Sequence, residues 1–306
     1  MRRFTLSIGA AVGAMLGAST AAVANIPPHE IWIQGWPIQV ADEFGAAVAV
    51  HRGRIVVGSP RACPDLVDGA GRAHLFGNDG WGWTQITELA MPGLDEDRRF
   101  GCDVAVCGDC VLVGAWGAAL NGTSCGAVYE FHDMTDGVAP AAILVGSDSS
   151  AGDCFGHAVA MTRTDRGVVA VVGAPGRDVV VAATADKPVP VVVDDVGAAY
   201  VLRHGEDAWL EEGCLVPAHA GRGAAIGSTV AICGDVLVTA GIEGPAIVYR
   251  FDGTDWIEEA QLAFDVPVPT TGLAVSIDGD GAAGPFDRSE ERRVGKVWRC
   301  RWAPYH

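Results

Sequence analysis

The sequence predicts an all-β protein made of repeated four-stranded antiparallel sheets. Short apolar runs alternate with turn residues along the chain, and no amphipathic helical pattern of useful length interrupts them. One local pattern also recurs at intervals of 45 to 71 residues. Repeats of this length are typical of a propeller or a solenoid, and four strands in each repeat favour the blades of a β-propeller.

The recurring pattern is clearest in residues 98–115, which read R-R-F-G-C-D-V-A-V-C-G-D-C-V-L-V-G-A. An aromatic residue and a glycine open it, alternating apolar residues follow, and Gly108-Asp109 predicts a tight turn before a second apolar run. This pattern predicts the first two strands of a blade, of which the second is the more buried. Its openings fall at positions 44, 100, 155 and 226, with a weaker fifth at 271.

The other two strands of each repeat follow from similar alignments. The third strand is predicted at residues 71–76, 126–131, 197–202 and 246–251. The fourth often begins with a tryptophan, as in Trp83–Leu89, Trp209–Leu215 and Trp256–Leu262, and Trp32–Val40 is an additional fourth strand before the first repeat. We expect these aromatic residues to fill the space between blades. An insertion at roughly residues 177–195 lengthens the third repeat, and the composition of its core at residues 183–190 predicts an exposed loop.

These patterns resemble the FG-GAP repeat family, whose signatures are Phe-Gly and Gly-Ala-Pro and whose rings are similar to the seven-bladed head of integrin alpha chains. The resemblance implies a β-propeller in which the signature residues have a structural role. Seven blades need about 385 residues, so residues 25–287 are expected to hold four to five blades of a truncated ring. The signature positions are Phe44, Gly45, Gly58, Pro60, Phe100, Gly101, Gly114, Phe155, Gly156, Gly173, Pro175 and Gly227.

Calcium is the ligand that the family resemblance implies, in acidic loops between the first two strands of a blade. Here the connections at residues 51–54, 107–110, 162–167 and 233–235 hold too few oxygen ligands for that ion. We therefore predict no metal site and no cofactor, with acidic loops such as Asp194-Asp195 as weak calcium candidates. Asp278-Gly279-Asp280-Gly281 is interpreted as a hairpin turn.

The two ends of the chain differ from the rest in composition. Residues 1–24 have a positive start, an apolar run too short to span a membrane and a small-residue cleavage site, which predicts a signal peptide. Residues 288–306 resemble a translated sequencing adapter and are basic, whereas the whole chain has a net charge of −17. We interpret them as a non-native tail, with a basic nucleic-acid or membrane patch as the alternative.

The chain has nine cysteines, and setting aside Cys300 of the non-native tail leaves eight. An even number in an exported chain favours disulfides. Cys107-x-x-Cys110 with Cys102 and Cys125 nearby also leaves a zinc or redox site open. Counting cannot assign the pairing. The candidate disulfide cysteines are Cys63, Cys102, Cys107, Cys110, Cys125, Cys154, Cys214 and Cys233.

Function is less well defined by the sequence than fold. No nucleophile elbow or zinc-protease motif is present, and no carboxylate pair suggests acid–base catalysis. The acidic chain argues against nucleic acid as a partner. We expect a secreted, extracellular or periplasmic bacterial protein, without stable membrane insertion, that acts as a non-enzymatic interaction, adhesion or structural module. Its partner would be an extracellular protein or glycan, bound through residues 61–69 or 177–195. The alternative is a hydrolase or lyase acting on extracellular polysaccharide.

Overall fold

The computed structural model describes residues 42–262, except 63–68, 79–81, 92–97, 133–139, 182–188, 207 and 243–244, together with residues 275 and 277. Within these residues the protein is all-β and contains no helix. Its strands form four four-stranded antiparallel sheets and one separate hairpin. The all-β fold and the four-stranded blades predicted from the sequence are therefore confirmed.

The first two blades are simple meanders in which each strand pairs with the next one along the chain. The strands of the first blade are β1 (Ala47–His51), β2 (Arg54–Ser59), β3 (Arg72–Asn78) and β4 (Trp83–Leu89). Those of the second blade are β5 (Val104–Cys107), β6 (Cys110–Ala115), β7 (Ala127–Phe131) and β8 (Ala142–Leu144).

The third blade contains the insertion, and the fourth returns to the simple meander. The strands of the third blade are β9 (Ala158–Thr164), β10 (Gly167–Ala174), β13 (Ala198–His204) and β14 (Trp209–Leu215). The inserted hairpin consists of β11 (Val179–Val181) and β12 (Val191–Val193). The strands of the fourth blade are β15 (Thr229–Cys233), β16 (Val236–Ala240), β17 (Ala246–Phe251) and β18 (Trp256–Leu262).

Burial changes systematically across each blade. The first strands β1, β5, β9 and β15 contact one another from blade to blade, which places them toward a common centre. The second strands are the most buried, and β6 has no residue that is even partly exposed. The fourth strands alternate between partly buried and exposed residues. Apolar clusters between consecutive blades, rather than one central core, hold the protein together.

Consecutive blades meet where the glycine that ends a second strand faces the glycine that opens the next blade. A Cβ atom at Gly114 would overlap the carbonyl oxygen of Gly156, so no side chain fits there. The same conflict occurs between Gly58 and Gly101 and between Gly173 and Gly227. At each of these three joints, the signature glycine near the end of a second strand therefore contacts the signature glycine that opens the next blade.

The aromatic residues of the repeat pack against the third strand of their own blade. The Phe100 ring lies 5.6 Å from the Tyr129 ring, and the Phe155 ring lies 5.3 Å from the Tyr200 ring, both edge to face. In the first blade Phe44 contacts His74 instead, at 5.3 Å. These rings are large apolar contacts that fill the space between the sheets.

The predicted strand boundaries agree closely with the structure, and the insertion adds two strands that the sequence did not predict. The fourth strands at Trp83–Leu89, Trp209–Leu215 and Trp256–Leu262 lie where the sequence predicts them. Most of the insertion's core, where the sequence predicts an exposed loop, lies outside the described residues. Val179–Val181 and Val191–Val193 pair as an antiparallel hairpin, because both segments are β-branched valines of equal length.

Several predictions fall outside the described residues. They include the signal peptide, Trp32–Val40, most of the fifth repeat, Asp278–Gly281 and the basic tail. Two residues of the fifth repeat are described. Val275 and Ile277 pack against the apolar cluster of the fourth blade, and the Val275 N–H lies 3.4 Å from Thr229 Oγ1 of β15.

Candidate functional site

The seam between the second and third blades holds a group of chemically reactive side chains, named here the seam cluster: Cys110, Glu130, His132 and His204. Cys110 opens β6 after the Gly108-Asp109 turn, and Glu130 and His132 lie at the end of β7. Because β6 and β7 are antiparallel, the start of one strand and the end of the other meet at the same edge of the sheet.

Strand alternation explains why three of these residues share one face. Glu130 pairs with Leu112 across the sheet, so Cys110 and His132 each lie two positions from a member of that pair. Cys110 and Leu112 belong to the apolar cluster that joins the second and third blades. The third blade contributes His204 at the end of β13. The seam cluster therefore requires both blades.

The Glu130 carboxylate is the centre of the seam cluster. Its side chain is 4 % exposed. Its Oε1 atom accepts a hydrogen bond from Cys110 Sγ at 3.4 Å and lies 2.6 Å from His132 Nε2. His204 Nε2 lies 3.5 Å from the same oxygen. A carboxylate that is removed from water and reached by one thiol and two imidazoles is unusual in an apolar blade.

The tautomer of His204 follows from the hydrogen bond that its second ring nitrogen, Nδ1, makes. Its Nδ1 atom lies 2.7 Å from the carbonyl oxygen of Gly205, and a carbonyl can only accept. Nδ1 therefore carries a hydrogen. In the neutral ring, Nε2 then presents its lone pair to the Glu130 carboxylate, which is also an acceptor. Two acceptors repel each other, so the 3.5 Å separation of His204 Nε2 and Glu130 Oε1 is favourable only if a proton or a metal cation lies between them.

The two cysteines at the turn have thiols that are held in the protonated form. Burial raises the pKa of Cys110, and the negative charge of Glu130 raises it further. Burial also raises the pKa of Cys107, and the nearby guanidinium of Arg163 opposes that change. Without a bound cation, Cys110 therefore remains a thiol that donates a hydrogen bond to Glu130.

Three donor atoms of the seam cluster have the spacing of metal ligands, whereas His204 Nε2 lies near Glu130 Oε1 but does not belong to that group. Within the described part of the chain, Cys110, Glu130 and His132 form the one group of at least three such residues whose ligand atoms all lie within 4.8 Å of one another. The cysteine set considered from the sequence differs, because Cys102, Cys107 and Cys125 do not join Cys110 in any such group.

The cysteines do not form the disulfides that the sequence predicts. Cys102, Cys107, Cys110, Cys125, Cys154, Cys214 and Cys233 are all free thiols, and Cys63 lies outside the described residues. Several thiols are instead directed to backbone carbonyls close to them, as in the 3.2 Å contact between Cys102 Sγ and Gly156 O. Burial raises the pKa of Cys102 to about 12 and that of Cys214 to about 11, which keeps both thiols protonated.

The inserted hairpin is a second candidate functional region, because it exposes apolar side chains to solvent. Val180 is 65 % exposed and Val192 is 54 % exposed, and Val181, Val189 and Val191 are also exposed. Within the described residues β11 and β12 pair only with each other, so the outer edge of each strand is open. Both an apolar surface and unpaired backbone groups are therefore presented to solvent.

Polar contacts anchor the base of the hairpin to the blades. Arg177 donates through Nε to the Tyr200 hydroxyl at 3.0 Å and forms an ion pair with Asp148 of the second blade. The Tyr200 hydroxyl also donates to Asp148 at 2.6 Å. On the other side, Arg222 forms an ion pair with Asp194. The hairpin is thus held to the blades at its base, while its valines Val180 and Val192 are exposed.

The remaining predicted site residues lie at the ends of strands. Phe100 and Phe155 are fully buried, and the N–H groups of Gly45, Gly101 and Gly156 donate to the carbonyl oxygens of Gly58, Gly114 and Gly173. Pro60 and Pro175 directly follow β2 and β10. Gly227 opens the fourth blade after Ile226, which is also buried. These positions serve the joints between strands and blades, away from the seam cluster and the hairpin valines.

The sequence did not single out Glu130, His132 or His204. A usable signal was present, because Glu130 is a carboxylate inside an otherwise apolar third strand and is followed two residues later by a histidine. No pattern in the sequence around His204 indicates that its side chain reaches Glu130. His204 lies in another blade, and only the stacking of the blades brings it to Glu130.

Comparison with known proteins gives one match, which covers part of the first and second blades. The sequence profile of one family, described as FG-GAP repeat, matches residues 83–131. This range runs from β4 of the first blade to the end of β7 in the second. No curated protein matches the chain. Among the described residues, no helix is long and apolar enough to cross a membrane.

Proposed function

Since the chain is an FG-GAP repeat protein, we propose that it is a secreted, non-catalytic interaction module that binds another protein through the inserted hairpin of its third blade. The observation that carries this proposal is the exposure of five valines, of which four lie on β11 and β12 and the fifth, Val189, lies two residues before β12. Elsewhere in the third blade, valines are used for packing, and Val169, Val171 and Val172 of β10 are fully buried.

The open edges of the hairpin favour binding by strand addition. Each outer edge of β11 and β12 offers backbone N–H and C=O groups that a partner strand can pair with. Alternating side chains of such a strand would pack against the exposed valines. The stiff base formed by Arg177, Tyr200 and Asp148 reduces the entropy that the hairpin loses on binding.

The chemistry of the hairpin favours a protein over a glycan. Valine side chains have no hydrogen-bonding group and no aromatic face on which a sugar ring could stack. The surrounding acidic residues Asp178, Asp194 and Asp195 lie on a chain whose net charge is −17. The expected partner segment is therefore an extended apolar stretch flanked by Lys or Arg.

The proposal of a non-catalytic role rests on the packing role of the signature glycines. The glycines at the ends of the second strands accommodate the backbone of the next blade, as in the contact between Gly114 and Gly156. They therefore leave little space for reactive side chains at these joints. Secretion is proposed from the signal-peptide pattern of residues 1–24.

The hairpin is tested by placing charge on its apolar surface. Proteins captured from the culture medium of the source cells by the immobilised full chain would be identified by mass spectrometry. The purified candidate would then be titrated against the full chain. We expect Val180→Asp with Val192→Asp to weaken binding at least about tenfold, or about 1.4 kcal/mol.

The matched control is Ile257→Asp, because Ile257 of β18 is 51 % exposed but lies in another blade. It should leave binding unchanged. Equal loss in the control, or binding that survives the hairpin substitutions, would contradict the proposal. A polysaccharide that binds the hairpin, or that the purified chain cleaves to release new reducing ends, would support the competing glycan or enzyme interpretation.

A further inference from the structure

We propose that the seam cluster is a zinc site in which Cys110, Glu130 and His132 of the second blade and His204 of the third blade bind one Zn²⁺ ion. This inference is independent of the hairpin and of the partner proposed above. It rests on the convergence of a thiol, a buried carboxylate and two imidazoles on the seam between two blades.

Two of the distances to Glu130 Oε1 fit a small tetrahedral cation, and His204, which lies outside the group of three mutually close donors, has to move toward Cys110 and His132 to complete the site. Zinc bonds of about 2.0–2.3 Å give tetrahedral edges of about 3.3–3.8 Å. Cys110 Sγ and His204 Nε2 lie 3.4 Å and 3.5 Å from Glu130 Oε1, which matches such edges. The His132 contact of 2.6 Å is a hydrogen bond and must lengthen by about an ångström. The His132 side chain is 40 % exposed, so it has room to move.

The donor types select zinc over calcium. A sulfur, an imidazole nitrogen and a single carboxylate suit Zn²⁺, whereas Ca²⁺ needs six to eight oxygen ligands. The hydrogen bond from His204 Nδ1 to Gly205 O is the outer contact that usually fixes a metal-binding histidine. It leaves the Nε2 lone pair directed toward the remaining donors.

Charge balance gives a physical reason for the cation. A thiolate, a carboxylate and two neutral imidazoles with Zn²⁺ form a neutral group, which costs less to bury than the carboxylate alone. Binding breaks the S–H bond of Cys110, forms a Zn–S bond and releases the thiol proton to solvent. The nearby positive charge of Arg163 lowers the pKa of Cys110 and so favours the thiolate, although it also repels a cation.

The test uses the full chain, freed of metal by chelation and titrated with Co²⁺ and then Zn²⁺. We expect one equivalent of Co²⁺ per chain, an absorption band from cobalt–thiolate charge transfer, loss of that band on addition of Zn²⁺, and proton release. Cys110→Ser should abolish the band. His132→Asn should weaken Zn²⁺ binding at least about tenfold, and its exposed side chain makes a folding defect improbable as the cause.

The matched controls are Cys214→Ser and His219→Asn, which remove the same chemical groups outside the seam cluster. Both should keep the wild-type band and affinity, and circular dichroism of every variant checks that its strands are intact. The proposal is overturned if Co²⁺ binds without a thiolate band, if the Cys110 and His132 variants bind as the wild type does, or if the folded chain binds no metal.

Discussion

At the residue scale, the partly buried carboxylate of Asp103 links the second and third blades. Asp103 accepts a hydrogen bond from its neighbour Val104 N at 2.9 Å and another from Val159 N of β9 at 2.7 Å. Burial raises the pKa of Asp103 to about 6, although the two backbone N–H groups lower it. The desolvation cost is therefore larger than the gain from these hydrogen bonds.

The raised pKa of Asp103 predicts a stability that depends on pH. In the unfolded chain the Asp103 carboxyl has its ordinary pKa of 3.8. Because its pKa in the folded protein is about 6, the folded state binds the proton more tightly than the unfolded state does. The stabilising contribution of Asp103 is complete below pH 3.8 and is lost as the pH rises through about 6. Two pKa units correspond to about 3 kcal/mol. We expect the free energy of unfolding of the wild type, relative to Asp103→Asn, to fall by about 2–3 kcal/mol from pH 4 to pH 7.

The comparison with Asp103→Asn is needed because His74 acts in the opposite direction. Burial, and then the charge of Arg72, lowers the pKa of His74 to about 4. Its stabilising contribution is present above pH 6.5 and is lost as the pH falls toward 4. Since both proteins contain His74, its effect cancels in the difference. Urea unfolding at each pH gives that difference, and a value independent of pH would contradict the assignment of Asp103.

At the scale of the element, the close approach of two glycines defines how one blade joins the next. The end of β6 reaches the opening of the third blade so closely that a Cβ atom at Gly114 would overlap Gly156 O. A methyl group can be accommodated there only if the two blades move apart. Overpacking of this kind usually costs about 1–3 kcal/mol.

We therefore expect Gly114→Ala to lower the free energy of unfolding by about 1–3 kcal/mol and to lower the melting temperature. Gly221→Ala is the matched control, since no heavy atom lies within 4 Å of its Cβ position. Differential scanning calorimetry measures both variants. Equal stabilities for the two would show that the glycine joint is not a tight contact.

The elements also show which features can be predicted from sequence. Strands such as Trp83–Leu89 have alternation and flanking turns within a few residues, so their limits follow from local chemistry. The strands of the valine hairpin were not predicted, because each of them has only three residues. Such short strands are defined by their pairing, which a local pattern does not contain.

At the scale of the whole molecule, stacking of the blades creates contacts that no repeat contains by itself. The seam cluster is the main example, because His204 comes from one blade and Glu130 from another. The disulfide prediction was not met for a related reason. An even number of cysteines says nothing about the distances between them, and the fold distributes the seven described thiols over several blades without an S–S bond.

The central claim is that one four-stranded unit recurs along the chain and that its signature residues serve the packing of blades. Hydrogen–deuterium exchange of the full chain, followed by mass spectrometry, tests it most directly. We expect the slowest exchange in the second strands β2, β6, β10 and β16, and faster exchange in the fourth strands β4, β8, β14 and β18, in every blade. Protection confined to one part of the chain, or a different order of strands in each blade, would contradict the repeat.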